Sequence, residues 1–193
     1  MAIMDLSVTE QKHNLRCLNK EIRKALDIKS LSVSIIDRVF NTDEFKNAKS
    51  VFCYISFGHE LDTSRILNYP DKNIFVPKII GNEMLMTEYT PNDLEKSRFG
   101  ILEPVNCSPV YPSIDDVIIV PALACDKNFY RIGYGGGFYD KFMKNSDALK
   151  ILPVPSVFVK DDVPHDENDI RVDMIVTENF VLKSNKIVTK TLF

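Results

Sequence analysis

Segments with helical spacing alternate along this chain with short β-rich apolar runs, and that alternation confines it to the α/β class, with a mainly parallel central sheet flanked by helices. Ser7-Val8-Thr9-Glu10 has the spacing of a capping box and predicts a helix start. Behind it Leu15, Leu18, Ile22 and Leu26 recur at helical spacing as an apolar face, while Lys12, Arg16, Lys20 and Arg23 fall on another. Residues 31–40 predict a second helix, because Ile35, Ile36, Val39 and Phe40 group on one side. Residues 51–57 read as a buried strand and 62–67 as a helix after it. Two more strands are expected over 73–79 and 83–89, around a turn at Gly81-Asn82. Residues 117–120 are the clearest core strand, and 138–143 look like a helix start. Strands are expected over 151–159 and 174–177, with a terminal strand pair over 180–192. The Pro- and Ser-rich stretch 104–113 reads as a surface loop.

Composition narrows the function. The 193 residues suffice for one core and are read as a single domain, 1–193. With 24 basic and 27 acidic residues the net charge is −3, which lacks the basic field of a nucleic-acid binder. The longest apolar stretch, 117–125, contains Pro121 and falls far short of the roughly 20 residues that span a bilayer. The first residues do not have the order of a signal peptide. Cys17, Cys53, Cys107 and Cys125 form no CxxC pair, so neither a zinc site nor a disulfide framework is suggested. A cytoplasmic monomer is expected, with small molecules rather than nucleic acid or membrane as partners.

Chemistry concentrates at one place. Four of the seven glycines lie within residues 133–137, after the core strand and before the helix expected at 138. Glycines there permit positive φ and close approach of a ligand to the amides, and amides beside a helix start favour phosphate. The spacing matches neither a Walker loop nor the GxGxxG dinucleotide pattern, and a flexible surface turn is the alternative. Asp140 either complements the helix dipole or ligates Mg²⁺ beside phosphates. Lys12 and Arg16, one turn apart, either lie in solvent or clamp a polyanion. Residues 160–178 hold seven acids against Lys160 and Arg171, a local −5, read mostly as a solvated face that could supply a second metal ligand. Glu60, just past a strand, is suited to hydrogen-bond a heterocycle. His13, His59 and His165 share no metal-ligand spacing, and no GxSxG serine motif is present.

Residues 116–142, DVIIVPALACDKNFYRIGYGGGFYDKF, resemble the signature of 5-formyltetrahydrofolate cyclo-ligases, in outline an apolar strand, Pro, then RLGxGxGYYD. Short matches in the same order extend the resemblance over nearly the whole chain: Lys12-x-x-Leu15-Arg16, Glu60-Leu61-Asp62-Thr63, Val76-Pro77-Lys78, Phe99-Gly100-Ile101-Leu102-Glu103-Pro104 and, later, Glu167-Asn168-Asp169-Ile170-Arg171-Val172-Asp173. The resemblance implies a single α/β domain that converts 5-formyltetrahydrofolate and MgATP into 5,10-methenyltetrahydrofolate, ADP and phosphate. Carried over by position, Lys12 and Arg16 would contact ATP. Arg131, Gly133, Tyr134, Gly135, Gly136, Gly137, Phe138 and Tyr139 would cradle its phosphates, with Arg131 as the catalytic cation. Tyr134 to Phe138 would also border the folate, which Ile55 and Glu60 would hold. Asp140 and Asp169 would bind Mg²⁺, and Lys78 would meet an anionic group. Four positions depart from the pattern: Phe129 for a common glycine, Cys125 for phenylalanine, Ile132 for leucine and Phe138 for tyrosine. A non-catalytic nucleotide- or folate-binding protein on the same fold is the alternative, and a sugar-phosphate enzyme on a related scaffold a third reading.

Overall fold

Helix α1 (Val8–Lys24) starts at the capping box: the Ser7 hydroxyl accepts from the Glu10 amide while the Glu10 carboxylate takes the Ser7 amide. The computed structural model describes residues 6–97 and 100–190. Helix α2 (Ile28–Phe40) begins earlier than its apolar pattern because Asp27 caps it at the Ser30 amide. Thr42 caps a short α3 (Asp43–Asn47), and strand β1 (Ser50–Phe52) follows. After helix α4 (Ser64–Leu67), β2 (Asn73–Ile80) and β3 (Glu83–Glu88) form the expected hairpin around Gly81, which has φ 61°. Then come β4 (Leu94–Lys96), β5 (Leu102–Pro104), β6 (Val117–Ile119), β7 (Ala124–Asp126), β8 (Arg131–Ile132) and α5 (Phe138–Met143). The chain continues through β9 (Leu149–Pro153), a 3-10 turn at Ser156–Phe158, β10 (Val159–Lys160), β11 (Met174–Val176), β12 (Val181–Lys183) and α6 (Asn185–Lys190). No helix among the described residues is long and apolar enough to cross a membrane.

Seven strands form the main sheet in the order β12-β11-β9-β6-β1-β2-β3. From β11 to β2 neighbours run parallel, and an antiparallel strand closes each edge. This is the α/β fold with a mainly parallel sheet that the alternation predicts. Both faces of the inner strands are buried, as a parallel sheet requires. Val51, Val117, Ile119, Ile151 and Val176 pack toward Ile35, Ile36 and Val39 of α2 and Phe45 of α3. The intervening Phe52, Ile118, Leu152 and Ile175 pack toward Leu15 and Ile22 of α1 and Phe138 and Phe142 of α5. That period-two division places α1 and α5 together on one layer. A small sheet, β10-β7-β8, and the β4-β5 pair complete the structure.

Several expectations are corrected. Leu18 is 57% exposed, whereas Lys12, Asn19 and Arg23 are the buried residues of α1. The basic stripe, for which a solvated face and a polyanion clamp are both open, therefore turns largely inward, with Lys20 left exposed. Arg23 is accommodated because it donates to the Ala122 carbonyl at 2.9 Å and lies 4.9 Å over the Phe158 ring. The strand expected over 151–159 ends at Pro153, since prolines at 153 and 155 cannot donate to a ladder. Strand β1 starts at Ser50, and of the 51–57 run only Val51 and Phe52 pair, with one further bond from Cys53 to the Phe75 carbonyl, after which the chain leaves the sheet. The terminal strand pair is instead one strand, β12, followed by helix α6. Residues 191–192 of that expectation lie outside the described residues.

Phe129 occupies the left-handed region at φ 71°. Two bonds fix it there: its amide donates to the Asp126 carbonyl, and its own carbonyl accepts the Val172 amide. The conformation costs a non-glycine residue roughly 1–2 kcal/mol, while the half-buried ring packs on the α1/α5 layer. Phe129→Gly should therefore change stability by less than about 1 kcal/mol, because relief of strain offsets the lost ring. Phe129→Ala keeps the strain and loses the ring, so urea unfolding should show it about 2 kcal/mol less stable than wild type. Equal losses in both variants would refute strain at this position.

Candidate functional site

The chain runs from β1 to β2 on one side and later places β6 on the other, so a crevice opens at the carboxyl ends of β1 and β6, the usual ligand position in an open α/β sheet. A cleft of about 650 Å³ lies there. Tyr54, Ile55 and Glu60 enter it after β1, and Pro121 after β6. The loop 133–137 and α5 form another wall, joined by Lys12 and Arg16 from α1 and by Asp166 and Asp169. Every site residue expected from sequence lines this one cleft except Lys78. Lys78 instead donates to the Pro104 and Val105 carbonyls and pairs with Glu95 at 3.2 Å, which ties β2 to the β4-β5 pair.

The glycines are there for steric reasons. Gly135 and Gly137 have φ of 107° and 66°, and Gly137 is the N-cap of α5. A Cβ on Gly136 would stand 2.7 Å from the Phe138 ring. One on Gly135 would touch the Arg16 guanidinium at 3.7 Å, and Arg16 itself donates to the Gly133 carbonyl at 2.9 Å. Helix α1 is thus fastened to the loop by the side chain that the basic stripe points at it.

Arg131 is 5% exposed. It donates to the Ile170 carbonyl at 2.7 Å and pairs with Asp140 at 3.0 Å, while its buried Nε has no partner among the described residues. Asp140 accepts the Ile170 amide through the same Oδ1. Lys12 Nζ sits between Asp166 at 2.6 Å and Asp169 at 2.5 Å, and Asp169 also takes the Asp166 amide. Burial works against the Lys12 charge, yet the bonds to both carboxylates outweigh it and raise its pKa. The Lys12 hydrogen bond, helped by the Asn168 amide, holds Asp166 down to about 2. At the other end, burial raises the Glu60 pKa against the opposing bonds from the Phe57 amide and the Tyr134 hydroxyl. Burial and the neighbouring Glu60 likewise push Tyr134 upward, and among the described residues the buried Tyr139 hydroxyl has no partner.

Sequence reasoning missed Asp166, although its three-residue spacing from Asp169 lies inside the acidic stretch. It also missed the apolar wall of Pro77 and Ile79, whose alternation along β2 was the available signal, and of Met84 on β3. Elsewhere Asp126, Asp162 and His165 converge, but Asp126 already accepts the amides of Asn128, Tyr130 and Val163.

Residues 8–178 match the 5-formyltetrahydrofolate cyclo-ligase family. The chain belongs to that family. The 5-formyltetrahydrofolate cyclo-ligase of Haemophilus influenzae is 29% identical over 158 residues, 76% of this chain and 84% of that protein. The Escherichia coli K12 cyclo-ligase is 31% identical over 146 residues, 69% of this chain and 80% of its own. Among solved structures, Aquifex aeolicus 5,10-methenyltetrahydrofolate synthetase superposes with a TM-score of 0.79 at 34% identity, covering 89% of this chain and 92% of that one. The fold and the enzyme class are those of the cyclo-ligase family, and Phe129 sits in the strained turn before Arg131.

Proposed function

We propose that residues 1–193 act as one cytoplasmic, monomeric domain that converts 5-formyltetrahydrofolate and MgATP into 5,10-methenyltetrahydrofolate, ADP and phosphate. The observation that carries this reading is the convergence of Lys12, Arg16 and Arg131 on the glycine loop in the same cleft as Glu60. A formamide oxygen leaves poorly. Transfer of the γ-phosphoryl group onto it makes it a phosphate, N10 attacks the activated carbon, the ring closes and phosphate departs. Such chemistry asks for positioned charge rather than a protein nucleophile, and no nucleophile–base pair is evident in the cleft.

The loop 133–137 and the start of α5 would hold the phosphates through backbone amides, with Lys12 and Arg16 clamping them. Arg131, rigidly held by Asp140 and Ile170, would meet the charge that develops during transfer. Ile55, Tyr134 and Phe138 would border the pterin and Glu60 would accept from its edge. Asp140 and Asp169 fit Mg²⁺: among the described residues each keeps one carboxylate oxygen without a partner, and both are hard donors on the cleft wall. Mg²⁺ when bound would neutralise phosphate charge and orient the γ-phosphoryl group.

Mixing purified protein with 5-formyltetrahydrofolate tests the reading, through the near-ultraviolet absorbance of the methenyl product. Growth that requires both ATP and Mg²⁺ is expected; binding of nucleotide or folate without product would support the non-catalytic alternative. Glu60→Gln keeps the acceptor for Phe57 and Tyr134 but removes the buried charge. It should raise the KM for the folate about tenfold. Because the raised Glu60 pKa makes ionisation unfavourable in the native state, its drag on stability is absent at pH 4 and develops as pH rises through the folded value. The melting temperature of Glu60→Gln should thus match wild type at pH 4 and exceed it at pH 8.

A further inference from the structure

Two lysines of the cleft have no part in that mechanism. Lys141 on α5 and Lys144, the C-cap of that helix, stand about one turn apart, both exposed and both on the cleft wall. They share the helix face of Asp140, since Tyr139, Phe142 and Met143 turn toward the core. Asp140 does not neutralise them, because it pairs with Arg131 and accepts the Ile170 amide. Among the described residues neither lysine has an ion-pair partner. The other cations of the cleft are engaged: Lys12 by two carboxylates, Arg131 by Asp140 and Arg16 by the Gly133 carbonyl.

Their position separates them from the glycine loop. At 1.5 Å per residue, Lys144 lies roughly 10 Å along the axis from Gly137. Helix α5 packs beside β3, whose Met84 joins Pro77 and Ile79 in the apolar wall. An apolar surface bordered by two unpaired ammonium groups suits a ligand with a flat apolar body that ends in carboxylates. Resting on the folate reading above, we propose that Lys141 and Lys144 bind the glutamate carboxylates of the folate, and so set the preference of the enzyme for the charge of the substrate tail. The benzoyl group would lie along Pro77, Ile79 and Met84.

The test uses three substrates that share the reacting atoms: 5-formyltetrahydrofolate, its tail-less counterpart ending at the benzoate, and a form with one further γ-linked glutamate. In wild type the KM should fall about threefold to fivefold with each added carboxylate, as for solvent-exposed charge pairs, and the trend should flatten in 0.5 M salt. In Lys141→Gln/Lys144→Gln the three KM values should converge to within about twofold while the KM for ATP stays put, and the double arginine variant should restore the trend. Tail dependence that survives in the glutamine variant overturns the proposal. So does a raised KM for ATP with the tail trend intact, which would assign the lysines to the nucleotide. Failure of wild type to turn over any of the three overturns the folate reading itself and this proposal with it.

Discussion

Replacing Arg131 with alanine is expected to lower kcat by about a thousandfold, with a far smaller change in the KM for either substrate. The guanidinium is almost wholly buried and is fixed by the Ile170 carbonyl and by Asp140, so it is oriented before any ligand arrives. A preorganised cation of this kind acts on charge that develops in the transition state, and interactions made only there appear in kcat. Removing one partner of a buried pair also costs stability, about 2–4 kcal/mol here, because Asp140 and the Ile170 carbonyl are left unpaired. Urea unfolding at the assay temperature must therefore show a folded variant before its rate is read. Arg131→Lys keeps the charge but cannot serve both partners through a planar fork, and should recover only part of the loss. A folded Arg131→Ala enzyme with more than a tenth of wild-type kcat would remove Arg131 from the catalytic step.

The same residue shows how far the sequence is readable. Arg131 was identifiable from the glycines that follow it, because glycine in a strand-to-helix turn reports a backbone conformation directly. Helix α5 and the β2–β3 hairpin were legible for a similar reason, since a local signal marks each boundary. Helix α1 was harder. Its start is local and was clear, and apolar periodicity placed Leu15, Ile22 and Leu26 against the core, but it put Leu18 inward and did not show that Lys12, Asn19 and Arg23 are buried. Lys12 faces inward where the helix borders the candidate cleft, a place where hydrophobic patterning is expected to fail, whereas Arg23 is taken up by the Ala122 carbonyl and the Phe158 ring. Lys78 erred in the opposite sense. It sits in a matching motif, yet the β4-β5 carbonyls that capture it belong to a pairing too short to show in the sequence. The partners of Lys12 were hidden because Asp166 and Asp169 are more than 150 residues away, and only the fold brings them to α1.

That distant pairing shapes the second large effect. Asp140→Asn should lower kcat by at least a hundredfold and raise the Mg²⁺ concentration needed for half-maximal rate by about tenfold or more. Alanine is the poorer choice, since it would strip the Ile170 amide of its acceptor and Arg131 of its counter-charge together. Asparagine keeps an acceptor for the amide and leaves one less negative charge for the metal. Its effect on Arg131 has to be separated from its effect on Mg²⁺, and Asp169→Asn provides the comparison. Asp169 has no bond to Arg131; its partner is Lys12, which retains Asp166 when Asp169 is neutralised. If both carboxylates serve the metal, both variants weaken Mn²⁺ binding to the enzyme–ADP complex, read by water-proton relaxation without any turnover. If Asp140 acts only by holding Arg131, Asp140→Asn loses rate while Mn²⁺ binds as in wild type, and the metal assignment fails at that position. Because Asp169 also holds Lys12 and the Asp166 amide, its variant should loosen the 166–169 turn, seen as faster amide exchange there, whereas Asp140→Asn should leave that turn protected.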